Sequence, residues 1–177
     1  IITEEKINYL LEMRASGRDR CEDYADKFGV PFYKGEKPWG IKVDIAMPCA
    51  TQNEIGIKEA KQIIANGTKY YIEVANMPTT EEALNFLIDR KDVIVAPSKA
   101  VNAGGVCVSG LEMSQNSQRL SWTAEEVDEK LHNAMINIHK HSVEAAEKYG
   151  LGYDLVAGAN IAGFEKVAEA MMAQGIY

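Results

Sequence analysis

VDIAM at Val43–Met47, YYIEVA at Tyr70–Ala75 and VIVA at Val93–Ala96 are three short β-rich runs, set apart by helical patterns at Lys58–Ala65 and Glu81–Ile88. Runs of this length separated by helices read as strand-helix-strand-helix-strand. Because a short loop cannot return a chain for parallel pairing, the alternation implies parallel strands joined by right-handed crossovers, with helices packed on the sheet. The expected class is α/β, a partial doubly wound parallel sheet of about three strands.

Outward from this segment the chain reads as helical. Toward the amino end, Thr3 is placed to cap a helix from Glu4 to about Met13, with Ile2 and Ile7 spaced as a hydrophobic staple. Cys21–Phe28 reads as a second helix stopped by Gly29, followed by a loop from Pro31 to Trp39. Toward the carboxyl end, Thr123 and Glu126 form a capping-box pattern. Val127, Leu131, Ala134, Ile138, Ser142, Ala145 and Tyr149 then trace one stripe of a long helix that ends at Gly150. After the break at Gly152–Gly158, Asn160–Met172 reads as a last short helix whose Ile161, Phe164, Val167, Ala168 and Met171 share a face. A composition shift near Tyr153 is the best candidate boundary.

Composition narrows the function classes. The chain has 177 residues, 46% of them hydrophobic, enough for one domain with a core, or one and part of another. Its formal charge of -7 disfavours a nucleic-acid surface. No apolar run approaches membrane-spanning length and Ile1–Leu11 lacks the pattern of a signal peptide, so a cytoplasmic location and no membrane partner are expected. Cys21, Cys49 and Cys107 are odd in number and widely spaced, which reads as reduced thiols, and no metal site is indicated. His132, His139 and His141 read as solvated or packed side chains on the long helix. Asp44 and Glu73, carboxylates within apolar strands, receive no role because strand-edge or ion-paired positions explain them as readily.

The functional signal lies where polar groups fall relative to the strands. Cys49, Ala50, Thr51, Gln52 and Asn53 follow the first run, Asn76 the second, Ser98 and Lys99 the third. In an open parallel sheet, ligands bind outside the carboxyl edge, so these groups converge on one crevice. Each alone is equally well a turn or cap; Asn76-Met77-Pro78 stands before an expected Thr79/Glu82 capping box. The stretch AVNAGGVCVSGLEMSQNSQRLSW at Ala100–Trp122 adds a helix starting near Asn102. There the 3.6-residue repeat puts Asn102, Val106, Ser109 and Met113 on one face, with Gly104 and Gly105 removing bulk beside them. Ser109 could hydrogen-bond an anion, or the small residues could serve tight packing only. No GxSxG, Walker loop or GxGxxG occurs.

PCATQNE at Pro48–Glu54, EVANMPTTEEAL at Glu73–Leu84 and APSKAVNAGGVCVSGLEMSQNSQRLSW at Ala96–Trp122 resemble the hexameric bacterial glutamate dehydrogenases, and EEVDEKL and GANIAGF continue the match. The resemblance runs from end to end of this chain but covers only the carboxyl-terminal part of that family's chain. The family's catalytic lysines and aspartate, and its glycine-rich dinucleotide turn, precede that part. It implies a Rossmann-like fold in which residues 1–152 form the carboxyl-terminal half of a dinucleotide-binding domain with a long connecting helix. Residues 153–177 would be a helical tail that returns to the substrate domain.

The implied reaction is NAD- or NADP-dependent, reversible oxidative deamination of L-glutamate to 2-oxoglutarate and ammonia. Ser109 resembles the serine that holds the distal carboxylate of glutamate, a strong bond because its acceptor is ionised. Val106 would wall that pocket. Asn102 and Asn76 resemble the asparagines near the nicotinamide and its ribose, and Ala50, Thr51 and Gln52 would line the same cofactor. No catalytic acid or base is assigned within this sequence, so the segment alone is expected to be inactive and its full-length parent to be a homo-hexamer. The related leucine, phenylalanine and valine dehydrogenases have no use for a serine at Ser109, which favours glutamate. The alternatives are a free-standing nucleotide-binding module and an assembly module, neither catalytic.

Overall fold

The computed structural model describes residues 1–18 and 20–175. The chain divides into two compact units, Ile1–Pro38 and Trp39–Tyr177. In the first, α1 (Glu4–Ala15) starts where the Thr3 hydroxyl accepts the Lys6 N–H, with Glu4 and Glu5 on the favourable end of the helix dipole. Ile2 and Ile7 both stay exposed. The helix α2 (Cys21–Phe28) ends on Gly29, whose φ of 61° is the left-handed conformation that a residue without Cβ adopts freely. Tyr9, Tyr24 and Phe28 pack their rings together across the two helices, Tyr9 edge-on to Phe28 at 5.4 Å.

The second unit holds the sheet. β1 (Ile45–Ala46), β2 (Tyr70–Ile72) and β3 (Ile94–Ala96) are parallel, as the alternation implied, and lie in the order β1-β2-β3. Pairing in register makes two rows, because successive side chains point to opposite faces. Ala46, Tyr71 and Val95 are buried beneath α3 (Ile57–Ala65) and α4 (Glu81–Ile88), together with Ile55, Ala60, Ile63, Ala83, Leu87 and Val93. Ile45, Tyr70 and Ile94 form the other row and remain 53%, 43% and 37% exposed.

One helix cap and one helix start differ from the sequence expectation. Thr80 caps α4 by accepting the Ala83 N–H, while its neighbour Thr79 is buried and turned inward. The last helix, α8 (Leu155–Gln174), begins five residues ahead of Asn160 because the Asp154 carboxylate caps the Ala157 N–H. Its stripe also differs. Phe164, Val167 and Met171 are 71%, 59% and 57% exposed, and the seam against α7 (Ala124–Lys148) is built from small groups. A Cβ on Gly158 would fall 1.9 Å from the Ser142 carbonyl oxygen and 3.1 Å from the Ala146 Cβ. Farther along, Glu165 accepts from Lys148 Nζ at 2.6 Å and from the Tyr149 hydroxyl at 2.9 Å.

Both bonds of the α7 capping box form, between the Thr123 hydroxyl and the Glu126 N–H and between the Thr123 N–H and the Glu126 carboxylate. Between β3 and α7 lie a single turn, α5 (Ser98–Val101), and the helix α6 (Ala103–Gln118). Among the described residues no helix is long and apolar enough to cross a membrane.

Candidate functional site

The carboxyl ends of the three strands are laced together by backbone bonds that continue past the ladder. The Pro48 carbonyl after β1 accepts the N–H groups of Val74 and Ala75 at 3.2 and 2.9 Å, and the Glu73 N–H reaches the Ala96 carbonyl at 3.0 Å. The loops beyond are paired as well, with Asn53 N–H on the Met77 carbonyl, Ile55 N–H on Pro78 and Thr80 N–H on Ile55. Asn53 and Met77 hold positive φ, 56° and 47°, at this pairing. A left-handed conformation is uncommon for a residue such as methionine and persists only where surrounding bonds impose it.

Across this floor comes the start of α6. Asn102 is its N-cap, and its amide nitrogen donates to the Val74 carbonyl at 3.2 Å and to Asn76 Oδ1 at 2.7 Å. Two residues selected from sequence, 26 positions apart, are therefore in direct contact. Ala50, Thr51 and Gln52 lie exposed in the first loop, where the Thr51 N–H faces a Glu54 carboxylate oxygen at 3.5 Å. Farther along α6, Val106 is 74% exposed and Ser109 is exposed, its hydroxyl donating only to the Gly105 carbonyl one turn back at 3.2 Å.

The two glycines divide their work. A Cβ at Gly104 would meet Leu131 and Met135 of α7 at 3.2 and 3.4 Å, so Gly104 seats α6 on α7, whereas Gly105 faces open space. Of the two, only Gly105 has open space beside its α-carbon.

Beneath the floor runs a buried polar chain that the sequence reading left unassigned. Glu73 is 3% exposed; its Oε1 accepts from the Thr79 hydroxyl at 2.6 Å and its Oε2 from the Ser98 N–H at 3.0 Å. The Tyr71 hydroxyl lies 2.6 Å from the Thr79 oxygen, and burial pushes its pKa far above the usual tyrosine value. The available signal was strand periodicity, since Tyr71 and Glu73 two residues apart share a face. Asp44, by contrast, is an exposed partner of Lys69 at 3.2 Å. Lys99 of α5 donates to the Asn160 side chain of α8.

The remaining polar candidates stay outside this arrangement. His132, His139 and His141 are exposed, with His139 Nε2 2.7 Å from the Tyr153 hydroxyl. The three cysteines are free thiols, and among the described residues no cluster of His, Cys, Asp and Glu is placed to hold a metal. A surface depression of about 360 Å³ lined by Arg90, Lys91, Val93 and Ile94 sits at the amino end of β3, away from the crevice.

The sequence pattern described as glutamate/leucine/phenylalanine/valine dehydrogenase matches residues 2–175. The NAD-specific glutamate dehydrogenase of Clostridium symbiosum is 73% identical over 176 residues, covering 99% of this chain and 39% of that enzyme. The NADP-specific enzyme of Haemophilus influenzae is 51% identical over 180 residues, with the same two coverages. A solved glutamate dehydrogenase superposes with a TM-score of 0.95 at 73% identity, over 98% of this chain and 39% of its own. The chain thus spans about 39% of the length of these relatives. With the pattern spanning residues 2–175 and both sequence and fold matching these relatives, the chain belongs to the glutamate/leucine/phenylalanine/valine dehydrogenase family.

Proposed function

We propose that this chain is the coenzyme-facing part of a glutamate dehydrogenase whose complete form interconverts L-glutamate with 2-oxoglutarate and ammonia, using NAD or NADP. The Asn76–Asn102 pair carries the reading. Asn102 spends both amide hydrogens on Val74 and Asn76, so the capacity left on the pair is the Asn102 carbonyl oxygen and the Asn76 amino group. A carboxamide offers the matching donor and acceptor, so these residues fit the nicotinamide end of the coenzyme. The exposed loop Ala50-Thr51-Gln52 lines the same ligand.

When bound, the coenzyme supplies the hydride acceptor for the α-carbon of glutamate. The residues of this chain orient and hold. Ser109 releases its long local bond to Gly105 and donates to the distal carboxylate, an ionised acceptor for which a hydroxyl bond is strongest. Val106 covers the aliphatic part of the substrate, and the bare Gly105 leaves room for it. Holding ring and carboxylate at fixed separation is a proximity contribution to rate. Proton transfer falls to a lysine and an aspartate that the family resemblance places outside these 177 residues.

The domain assignment belongs to the same reading: residues 1–152 as part of the dinucleotide-binding domain, residues 153–177 as a tail returning to the substrate domain. The uncovered row Ile45, Tyr70 and Ile94 and the exposed Phe164, Val167, Met171 and Met172 of α8 support it. Contiguous apolar surface of this kind is normally covered in the working protein. The complete enzyme is taken to be a cytoplasmic homo-hexamer.

The test uses the full-length enzyme carrying this segment. Ser109→Ala is compared with wild type on glutamate and on norvaline, which has the same carbon chain without the distal carboxylate. A hydrogen bond to a charged group predicts a fall of about tenfold to a hundredfold in kcat/KM for glutamate, with norvaline unaffected. An equal change for both, or none, removes Ser109 from the site.

A further inference from the structure

Glu73 is a buried carboxylate for which the function above has no use. It follows β2 directly, and its two oxygens grip different segments: Oε1 takes the Thr79 hydroxyl at 2.6 Å, Oε2 the Ser98 N–H at 3.0 Å. Thr79 lies just beyond Asn76, and Ser98 just before Asn102. One side chain therefore spans the two segments whose asparagines meet.

On the Ser98 side the bonds close a ring. The Ser98 carbonyl accepts the Asn102 N–H at 2.9 Å, Asn102 Nδ2 reaches the Val74 carbonyl at 3.2 Å, and Val74 is joined covalently to Glu73. On the Thr79 side the hydroxyl hydrogen is spent on Glu73, which leaves Tyr71 as the donor in its 2.6 Å contact with Thr79. The Thr79 bond pulls the loop containing Asn76 and the strained Met77 back onto β2. A carboxylate is costly to bury unless its lone pairs are satisfied, and here every partner belongs to the crevice rather than to the helices of the core.

We propose that Glu73 is a positioning residue that sets the spacing between the Asn76 loop and the start of α6, and so presents the amide pair to the coenzyme carboxamide. This rests on the coenzyme reading given above. Glu73 touches no ligand itself. Its effect is confined to the nicotinamide end of the coenzyme.

The experiment uses the full-length enzyme and two equilibrium titrations, one with the reduced coenzyme that it turns over and one with the corresponding ADP-ribose, which lacks only the nicotinamide. Glu73→Gln keeps the shape but sets an amino group against the Ser98 N–H or reverses the Thr79 bond. It is expected to weaken the reduced coenzyme about tenfold and leave ADP-ribose unchanged. Thr79→Val cuts the grip on the Asn76 side alone and is expected to show a smaller loss of the same selectivity, while Thr79→Ser, which keeps the hydroxyl, stays near wild type. Thr79→Val carries the test if the glutamine variant does not fold. Equal weakening of both ligands, or of neither, overturns the proposal. Asn102→Ala separates the two readings: if it too leaves the ratio of the two affinities unchanged, the pair does not meet the nicotinamide and the parent reading fails. If Asn102→Ala shifts the ratio while the Glu73 and Thr79 variants do not, only the role of Glu73 falls.

Discussion

Gly158→Ala should force α8 off α7. The added methyl carbon would sit 1.9 Å from the Ser142 carbonyl oxygen and 2.8 Å from its carbon, and both are backbone atoms inside a long helix that cannot swing aside. Relieving the overlap requires a movement of about 1 Å along a seam packed at interior density, where overpacking costs about 3 kcal/mol at the upper end of its usual range. Replacing a helical glycine by alanine returns about 1 kcal/mol of backbone entropy, leaving a net loss of about 2 kcal/mol. For a chain of this size that is a fall of roughly 4–8 °C in Tm. The assay is thermal unfolding followed by far-ultraviolet circular dichroism. Gly163→Ala on the same helix is the internal control: nothing lies within 4 Å of its added Cβ, so the propensity gain stands alone and Tm should rise. Equal melting of the two variants, or a stable Gly158→Ala protein, would refute the claim that the helices meet backbone to backbone at this point.

Two further outcomes concern the sheet and the long helix. Burial holds the Tyr71 hydroxyl neutral well above its ordinary pKa near 10, so only the unfolded chain releases that proton as pH climbs. The stabilisation is complete below about pH 10 and declines above it; urea midpoints measured between about pH 8 and 11 should therefore drop, and Tyr71→Phe should flatten the drop. At the start of α7, Thr123→Ala removes the hydroxyl that accepts the Glu126 N–H at 3.2 Å and should cost about 1 kcal/mol in denaturant unfolding, with Thr123→Ser close to wild type.

The parallel sense of the strands and the positions of most helices were legible because the spacing of apolar residues and caps is a local property. Strand length was not. Val74 and Ala75 leave the ladder when both donate to the single Pro48 carbonyl, a consequence of how neighbouring chain ends meet. The adjacent threonines show the same limit: either hydroxyl could cap α4, and Thr80 does so because Thr79 is drawn to Tyr71 and Glu73, which are distant from the helix in the periodic pattern. In α8 the apolar residues Phe164, Val167 and Met171 draw the eye, yet the seam uses Gly158, whose value is the bulk it lacks. For the crevice, Asn76 and Asn102 were both singled out from sequence. Their mutual bond, and the carboxylate that sets it, depend on loops folding over one another and carry no local signature.

The proposed coenzyme-facing role is tested most directly by a crystal structure of the full-length enzyme with coenzyme and 2-oxoglutarate bound. It predicts the nicotinamide carboxamide within hydrogen-bonding distance of Asn102 Oδ1 and the Asn76 amino group, and the distal carboxylate of 2-oxoglutarate on Ser109 Oγ. A nicotinamide ring seated away from the Asn76–Asn102 pair, with the carboxylate held by residues other than Ser109, would contradict it.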